Sequence, residues 1–250
     1  MIRVYANLEA LSLVTAELFA AEARQAVQAR GRFVVALSGG NTPQRTYELL
    51  SRKPFRELIP WQNIHVFWGD ERCVPADDPR DNAWMAHQAL LNHVPIPFEQ
   101  VHPMVCNSAA PETAATYEAL LRDFFVGGRS RFDLVLLGLG ENGHTASIFP
   151  GSSAMEEQQR WVAMVSVAEE GLRRLTLTAA AINQAALIVF LVSGIAKAQI
   201  LRKVFDNADD PVNIPARLIK PENGKLLWLV DQDAASLLPR RNLHRRRECQ

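Results

Sequence analysis

The strongest constraint on this chain is a set of short, apolar, β-branched runs at residues 2–5, 33–37, 64–68, 133–139 and 186–192. Each is too short for a stable helix and rich in apolar, β-branched residues, so each reads as a buried strand. Helical patterns fall between several of them, at 8–29, 42–51, 82–91, 112–125 and 196–205. Strands that alternate with helices pair in parallel, because the crossover needs a helix to carry the chain back. The expected architecture is therefore an α/β fold of three layers, a mostly parallel, open, Rossmann-like sheet with helices on both faces. Residues 162–167, 174–178 and 225–230 supply further strands; the alternation in 174–178 places that strand at a sheet edge.

With 250 residues and 48% hydrophobic content, the chain can bury a large core within one unit. Residues 1–238 read as a single domain and 239–250 as a basic, poorly ordered tail rich in arginine. The formal net charge is zero, which removes any general field for nucleic acid or an anionic membrane, so neither is expected as a partner. Monomer or weak homodimer is the expected state. Cys73, Cys106 and Cys249 show no C-x-x-C spacing and no histidine at zinc-ligand intervals, which points to a reducing compartment and no structural metal. The N-terminus lacks the basic and apolar regions of a secretory signal, and no apolar run approaches the roughly 18 residues that span a bilayer. A cytoplasmic location is expected.

Four polar, glycine-rich clusters begin where a predicted strand stops: S-G-G-N-T-P at 38, G-D-E-R at 69, G-L-G-E-N-G-H-T at 138 and S-G-I-A-K at 193. Ligands of open parallel sheets sit at the carboxyl ends of strands, so four clusters with one placement suggest one site. Ser38, Gly39, Gly40 and Thr42 form a strand-to-helix turn with Thr42 as expected N-cap, a phosphate cradle without a Walker lysine or else an ordinary tight turn. Asp70 and Arg72 follow an apolar strand, where charge is costly unless paired or used. Arg72 suits a phosphate or oxyanion, and Asp70 suits sugar hydroxyls or proton transfer. An internal ion pair is the plainer alternative.

The 138–143 segment matches the dinucleotide fingerprint G-x-G-x-x-G, but its context fails. Pro150 and Gly151 would cut the following helix to about two turns, and no acidic residue ends a strand some 20 positions on. The segment instead delivers His144, a natural general base, to a strand end. His65, His87, His93, His102 and His244 are expected to be structural. Arg174 and Lys197 read alone as surface cations; together with the glycine turn they would balance the −1.5 to −2 charge of a phosphate ester.

With W-G-D-E-R-C-V-P, D-N at 81, F-D-L-V-L-L-G-L-G-E-N-G-H-T-A-S-I-F-P-G, R-L-T-L-T and K-L-L-W-L-V-D-Q-D-A-A added, the chain resembles the 6-phosphogluconolactonase family over about residues 36–231. The resemblance implies a fold shared with glucosamine-6-phosphate deaminases and ribose-5-phosphate isomerases, and a phosphosugar lactone hydrolysed without metal or organic cofactor. It implies His144 as the base that activates water, and Arg72, Arg174 and Lys197 as holders of phosphate or transition-state charge. Many relatives read D-G-H-T where this chain has Asn142-Gly143-His144-Thr145, so Asn142 takes the place of a carboxylate beside the base. The rival deaminase activity is associated with G-H-I-A-F-N-E-P, whose glutamate is missing here. A non-catalytic phosphosugar sensor remains an alternative from another class.

Overall fold

The computed structural model describes residues 1–106, 112–125, 131–167, 171–206 and 214–239. His244, Cys249 and all of the basic tail except Pro239 lie outside the described residues. Among the described residues nine strands form two sheets: β1 (Ile2–Tyr5), β2 (Phe33–Leu37), β3 (Ile64–Trp68), β4 (Asp70–Arg72), β5 (Leu134–Leu137), β6 (Val162–Val167), β7 (Leu172–Leu177), β8 (Leu187–Val192) and β9 (Lys225–Asp231). The larger sheet has the order β1-β9-β8-β5-β2-β3, and all its pairs are parallel. Every residue of β2, β5 and β8 is buried, so both faces of the sheet centre are covered, as their uninterrupted apolar composition requires. This is the expected mostly parallel α/β sheet.

The helices are α1 (Leu8–Arg30), α2 (Asn41–Leu50), α3 (Phe55–Leu58), α4 (Asn82–Ala89), α5 (Glu112–Phe124), α6 (Ala179–Ile182) and α7 (Ala198–Phe205). Helix α1 begins at Asn7, whose side chain accepts from Ala10 N–H at 3.0 Å, and ends at Gly31 in the left-handed conformation. Its alanine-rich buried face, Ala16, Ala20, Ala23 and Ala26 among them, lets it approach β2 and β9 closely. No helix among the described residues is long and apolar enough to cross a membrane.

Several expectations need correction. Asp70–Arg72 is not loop but a short strand, β4, antiparallel to β7. Strand β7 is not at an edge; it is the middle of a second, three-stranded sheet in the order β4-β7-β6. Its alternation records one polar face, which a central strand can have equally well. Thr42 is not an N-cap, because α2 starts at Asn41 behind Gly40, whose φ of 100° only glycine adopts readily, and no side chain caps that end. No helix follows the 138–143 segment; residues 141–152 are turns. Cys73 and Cys106 are joined by a disulfide across a Cα–Cα distance of 4.9 Å. Motif spacing could not show this, since the two meet where the 101–106 segment runs beside β3, with His102 N–H bonded to Val66 O at 2.8 Å. The thiol count therefore gives no indication of a reducing compartment.

His65 and His102 pack as a pair beside Phe67 and Phe124, well apart from the glycine-rich loops. Their ring nitrogens lie 3.2 Å apart, with His102 4.4 Å from the Phe67 ring. That contact needs one ring nitrogen to donate and the other to accept, so two charged rings are disfavoured. Burial, then the charge of His65, depresses the His102 pKa to about 4 from an ordinary 6.5. The folded state thus keeps His102 neutral where the unfolded chain would protonate it, and stability is lost as pH falls from about 6.5 through about 4. Urea unfolding at pH 7 and pH 4.5 should show a smaller acid-induced drop in midpoint for His102→Gln than for the unsubstituted protein.

Candidate active site

The four strands that carry the polar clusters are neighbours in the sheet, in the order β8-β5-β2-β3. Their carboxyl ends, with β4, β7 and the start of α4, enclose a cavity of about 520 Å³, within the range of small-ligand sites. Ser38, Gly39, Gly40, Asp70, Arg72, Asn142, His144, Arg174 and Lys197 all line it. Thr42 does not, because it lies inside α2. Asn82, Thr145, Ala146, Phe149 and Val167 line it as well, and none of these stood out as site residues in the sequence.

The small sheet is fixed to the large one at Gly69, whose N–H bonds to Leu37 O at 2.7 Å and whose carbonyl accepts from Leu177 N–H at 2.8 Å. From that anchor the β4–β7 register pairs Asp70 with Thr176 and Arg72 with Arg174. Directly paired residues of an antiparallel ladder share a face, so two guanidinium groups project side by side into the cavity. Like charges so placed repel unless an anion lies between them. By the same alternation Glu71 points away, beneath α4. Its carboxylate accepts from the N–H groups of Arg72, Asn82 and Ala83 at 2.7 to 2.8 Å. Burial raises its pKa to about 8 despite these bonds.

Opposite the arginines, the Ser38–Gly40 turn is held from below by buried Tyr47. The Tyr47 hydroxyl donates to Ser38 O at 2.8 Å and accepts from Ser38 N–H at 3.0 Å. The start of α2 has no side-chain cap and follows Gly40, which lines the cavity; an uncapped helix start suits an anion. Ser38 Oγ and Arg72 Nε are buried and have no hydrogen-bond partner among the described residues, which is the condition of donors meant for a ligand.

His144 lines the same cavity. A Cβ at Gly140 would lie 2.1 Å from the imidazole, so only glycine allows the ring to fold back over the loop. Asn142 Oδ1 accepts from the His144 backbone N–H at 3.1 Å and contacts Nδ1 at 2.6 Å. An oxygen that already accepts one N–H identifies itself as the carbonyl end of the amide. Nδ1 must then carry the proton, which makes Nε2 the basic nitrogen. Phe149 packs against the imidazole at 4.3 Å and beneath the Arg174 guanidinium at 5.3 Å.

The loop is tied down along its length. Thr145 Oγ1 donates to Gly138 O at 2.9 Å and Ser147 Oγ to Asp70 Oδ2 at 2.6 Å. Between them Ala146 adopts a φ of 47°, a strained geometry for a residue with a Cβ, of the kind that clusters at functional sites. Asp70 also lies 3.9 Å from Arg174 Nη1, and Glu141 lies 3.9 Å from Lys197 Nζ. Lys197 sits on the single turn Ile195–Lys197, ahead of α7. That turn is set by Asp231 at the end of β9, whose carboxylate accepts from Ser193 Oγ and from Gly194 N–H.

Comparison with known proteins gives the family and the fold. The family model described as glucosamine-6-phosphate isomerases/6-phosphogluconolactonase matches residues 6–228. A 6-phosphogluconolactonase of Synechocystis sp. is 45% identical over 218 residues, covering 86% of this chain and 88% of the relative. The structure of the Trypanosoma brucei 6-phosphogluconolactonase superposes with a TM-score of 0.84 at 30% identity, covering 96% of this chain and 98% of that one. A monomeric glucosamine-6-phosphate deaminase shares the fold with a TM-score of 0.81 at 24% identity, covering 94% and 99%.

The Asn142–His144 contact makes a spectroscopic prediction. In neutral His144, long-range ¹H–¹⁵N correlation should find the proton on Nδ1. Asn142→Ala should mix the tautomers, and Asn142→Asp should move the titration of His144 to higher pH, because a carboxylate stabilises the imidazolium.

Proposed function

This chain belongs to the glucosamine-6-phosphate isomerase/6-phosphogluconolactonase family, and from that premise we propose that it is an enzyme hydrolysing 6-phospho-D-glucono-1,5-lactone to 6-phospho-D-gluconate. The observation that carries the reading is that one cavity brings together two elements: the Arg72–Arg174 pair with the Gly39–Gly40 turn, and His144 with Nδ1 held by Asn142. The first suits a phosphate and the second a water molecule to be deprotonated. A lactone that is phosphorylated far from its carbonyl needs both.

In the proposed reaction the phosphate is held by the turn, Arg72 and Arg174, with Lys197 adding charge at the rim. His144 Nε2 takes a proton from water as the water oxygen attacks the lactone carbonyl, producing a tetrahedral intermediate with an anionic oxygen. The ring C–O bond then breaks, and the imidazolium returns its proton to the departing ring oxygen. The N–H groups of Gly140 and Gly143 are already bonded to His144 O and Gly140 O, at 2.8 and 3.0 Å. They are therefore poor oxyanion donors. Asp70 serves best as the group that positions Ser147 and Arg174, since Oδ2 is committed to both.

Residues 1–238 are proposed to act as one domain, as a monomer or weak homodimer. The charged substrate stays in the compartment where it is made, which supports a cytoplasmic site of action.

Loss of freshly generated lactone above its spontaneous hydrolysis tests the reading. The unsubstituted protein should turn the lactone over rapidly, and His144→Ala should lower kcat about 10²- to 10⁴-fold, the usual worth of a general base. Turnover that survives this substitution would remove His144 from the role, and no acceleration by the unsubstituted protein would sink the lactonase reading. Ammonia release from glucosamine 6-phosphate would favour the deaminase instead.

A further inference from the structure

We propose that Asn82 is a positioning residue that joins the two halves of the phosphate site, aiming Arg72 while it sets how closely the Gly39 backbone can approach. This rests on the lactonase reading above for the identity of the ligand. Asn82 is the first residue of α4 and is 1% exposed. Its backbone N–H is held by Glu71, so the side chain is not needed to start the helix; Asp81 caps it by accepting from Trp84 N–H at 2.6 Å. The side chain instead reaches toward the cavity. Oδ1 accepts from Arg72 Nη1 at 2.7 Å, and Nδ2 donates to Asp70 O at 2.8 Å.

The same amide lies against the glycine turn. A Cβ at Gly39 would sit 1.7 Å from Asn82 Oδ1 and 2.4 Å from its Cγ. Gly39, unlike Gly40, does not occupy the left-handed region, so its backbone would accept alanine. The demand for glycine at this position comes from Asn82. One side chain thus fixes the separation between the turn and the guanidinium that would close on the same phosphate. Arg72 Nη1 has a second acceptor in Arg80 O at 2.7 Å, but that carbonyl belongs to the loop before α4 and does not touch the turn. A phosphate held between two supports needs their spacing fixed, and the loss of a hydrogen bond to a charged donor costs binding about tenfold or more.

The inference makes an unusual demand: removing the Asn82 side chain and adding a methyl group at Gly39 should produce the same defect. Asn82→Ala and Gly39→Ala should each raise KM for the lactone about tenfold and weaken inorganic phosphate as a competitive inhibitor in parallel, with kcat within about twofold of the unsubstituted enzyme. The double variant Gly39→Ala/Asn82→Ala, in which the clash is gone, should be no worse than Asn82→Ala alone. Circular dichroism and urea unfolding establish that each variant is folded. Asn82→Ser, which also withdraws the amide from Arg72, substitutes if Asn82→Ala is not.

A fall in kcat at unchanged KM and phosphate inhibition would overturn the proposal, as would defects that multiply in the double variant. Binding of inorganic phosphate, followed by calorimetry on the same variants, keeps the two readings separable. Absence of lactone turnover by the unsubstituted protein counts against the function. Phosphate affinity that is equal in the unsubstituted protein and in Asn82→Ala counts against the role of Asn82.

Discussion

The site depends on a backbone contact at Gly69. There the chain leaves the parallel sheet, bonding back to Leu37 on one side and across to Leu177 on the other, and enters an antiparallel ladder only three residues long. That ladder sets Arg72 opposite Arg174 and turns Glu71 the other way. A slip of one residue would point Glu71 into the cavity and both Asp70 and Arg72 beneath α4. The register is therefore a chemical specification as much as a structural one. Glu71 secures it by accepting the first N–H groups of α4, so the wrong register would also strip a helix end of its acceptor.

Holding two guanidinium groups together without a ligand costs stability, and the surrounding groups show how that cost is contained. Asp70 lies beside Arg174, Phe149 offers its ring face to the same side chain, and Asn82 and the Arg80 carbonyl hold Arg72. Only one of these four partners is charged. Neutral dipoles and a ring face orient a cation without cancelling its charge, so the pair keeps most of its attraction for a dianion. A carboxylate against each arginine would have been more stabilising for the empty protein and worse for binding.

Strand positions were legible because burial on both faces imposes uninterrupted apolar runs, and the location of the site followed from glycine clusters at strand ends. What periodicity could not reach were features set by contacts distant in sequence. Strand β4 carries three charged residues and no apolar run, so it gave no strand signal. Tyr47 and Phe149 look like ordinary aromatic core residues until the turn and the histidine are placed against them. Thr42 was a sound N-cap by type, but a glycine with a φ of 100° starts the helix two residues earlier. Alternation in residues 174–178 correctly reported one polar face and said nothing about position within a sheet. The pairing of Cys73 with Cys106 depends on how the 101–106 segment folds against β3, which no spacing encodes.

Asn142 shows how far orientation and charge can be separated. An aspartate at that place would both fix the tautomer of His144 and stabilise its protonated form; the amide does only the first. For a general base the lost basicity matters in proportion to the difficulty of the proton transfer. In the proposed reaction a cyclic ester with a good electrophilic carbon asks little of His144 beyond correct placement, and Asn142, Gly140 and Phe149 are the groups that hold its ring.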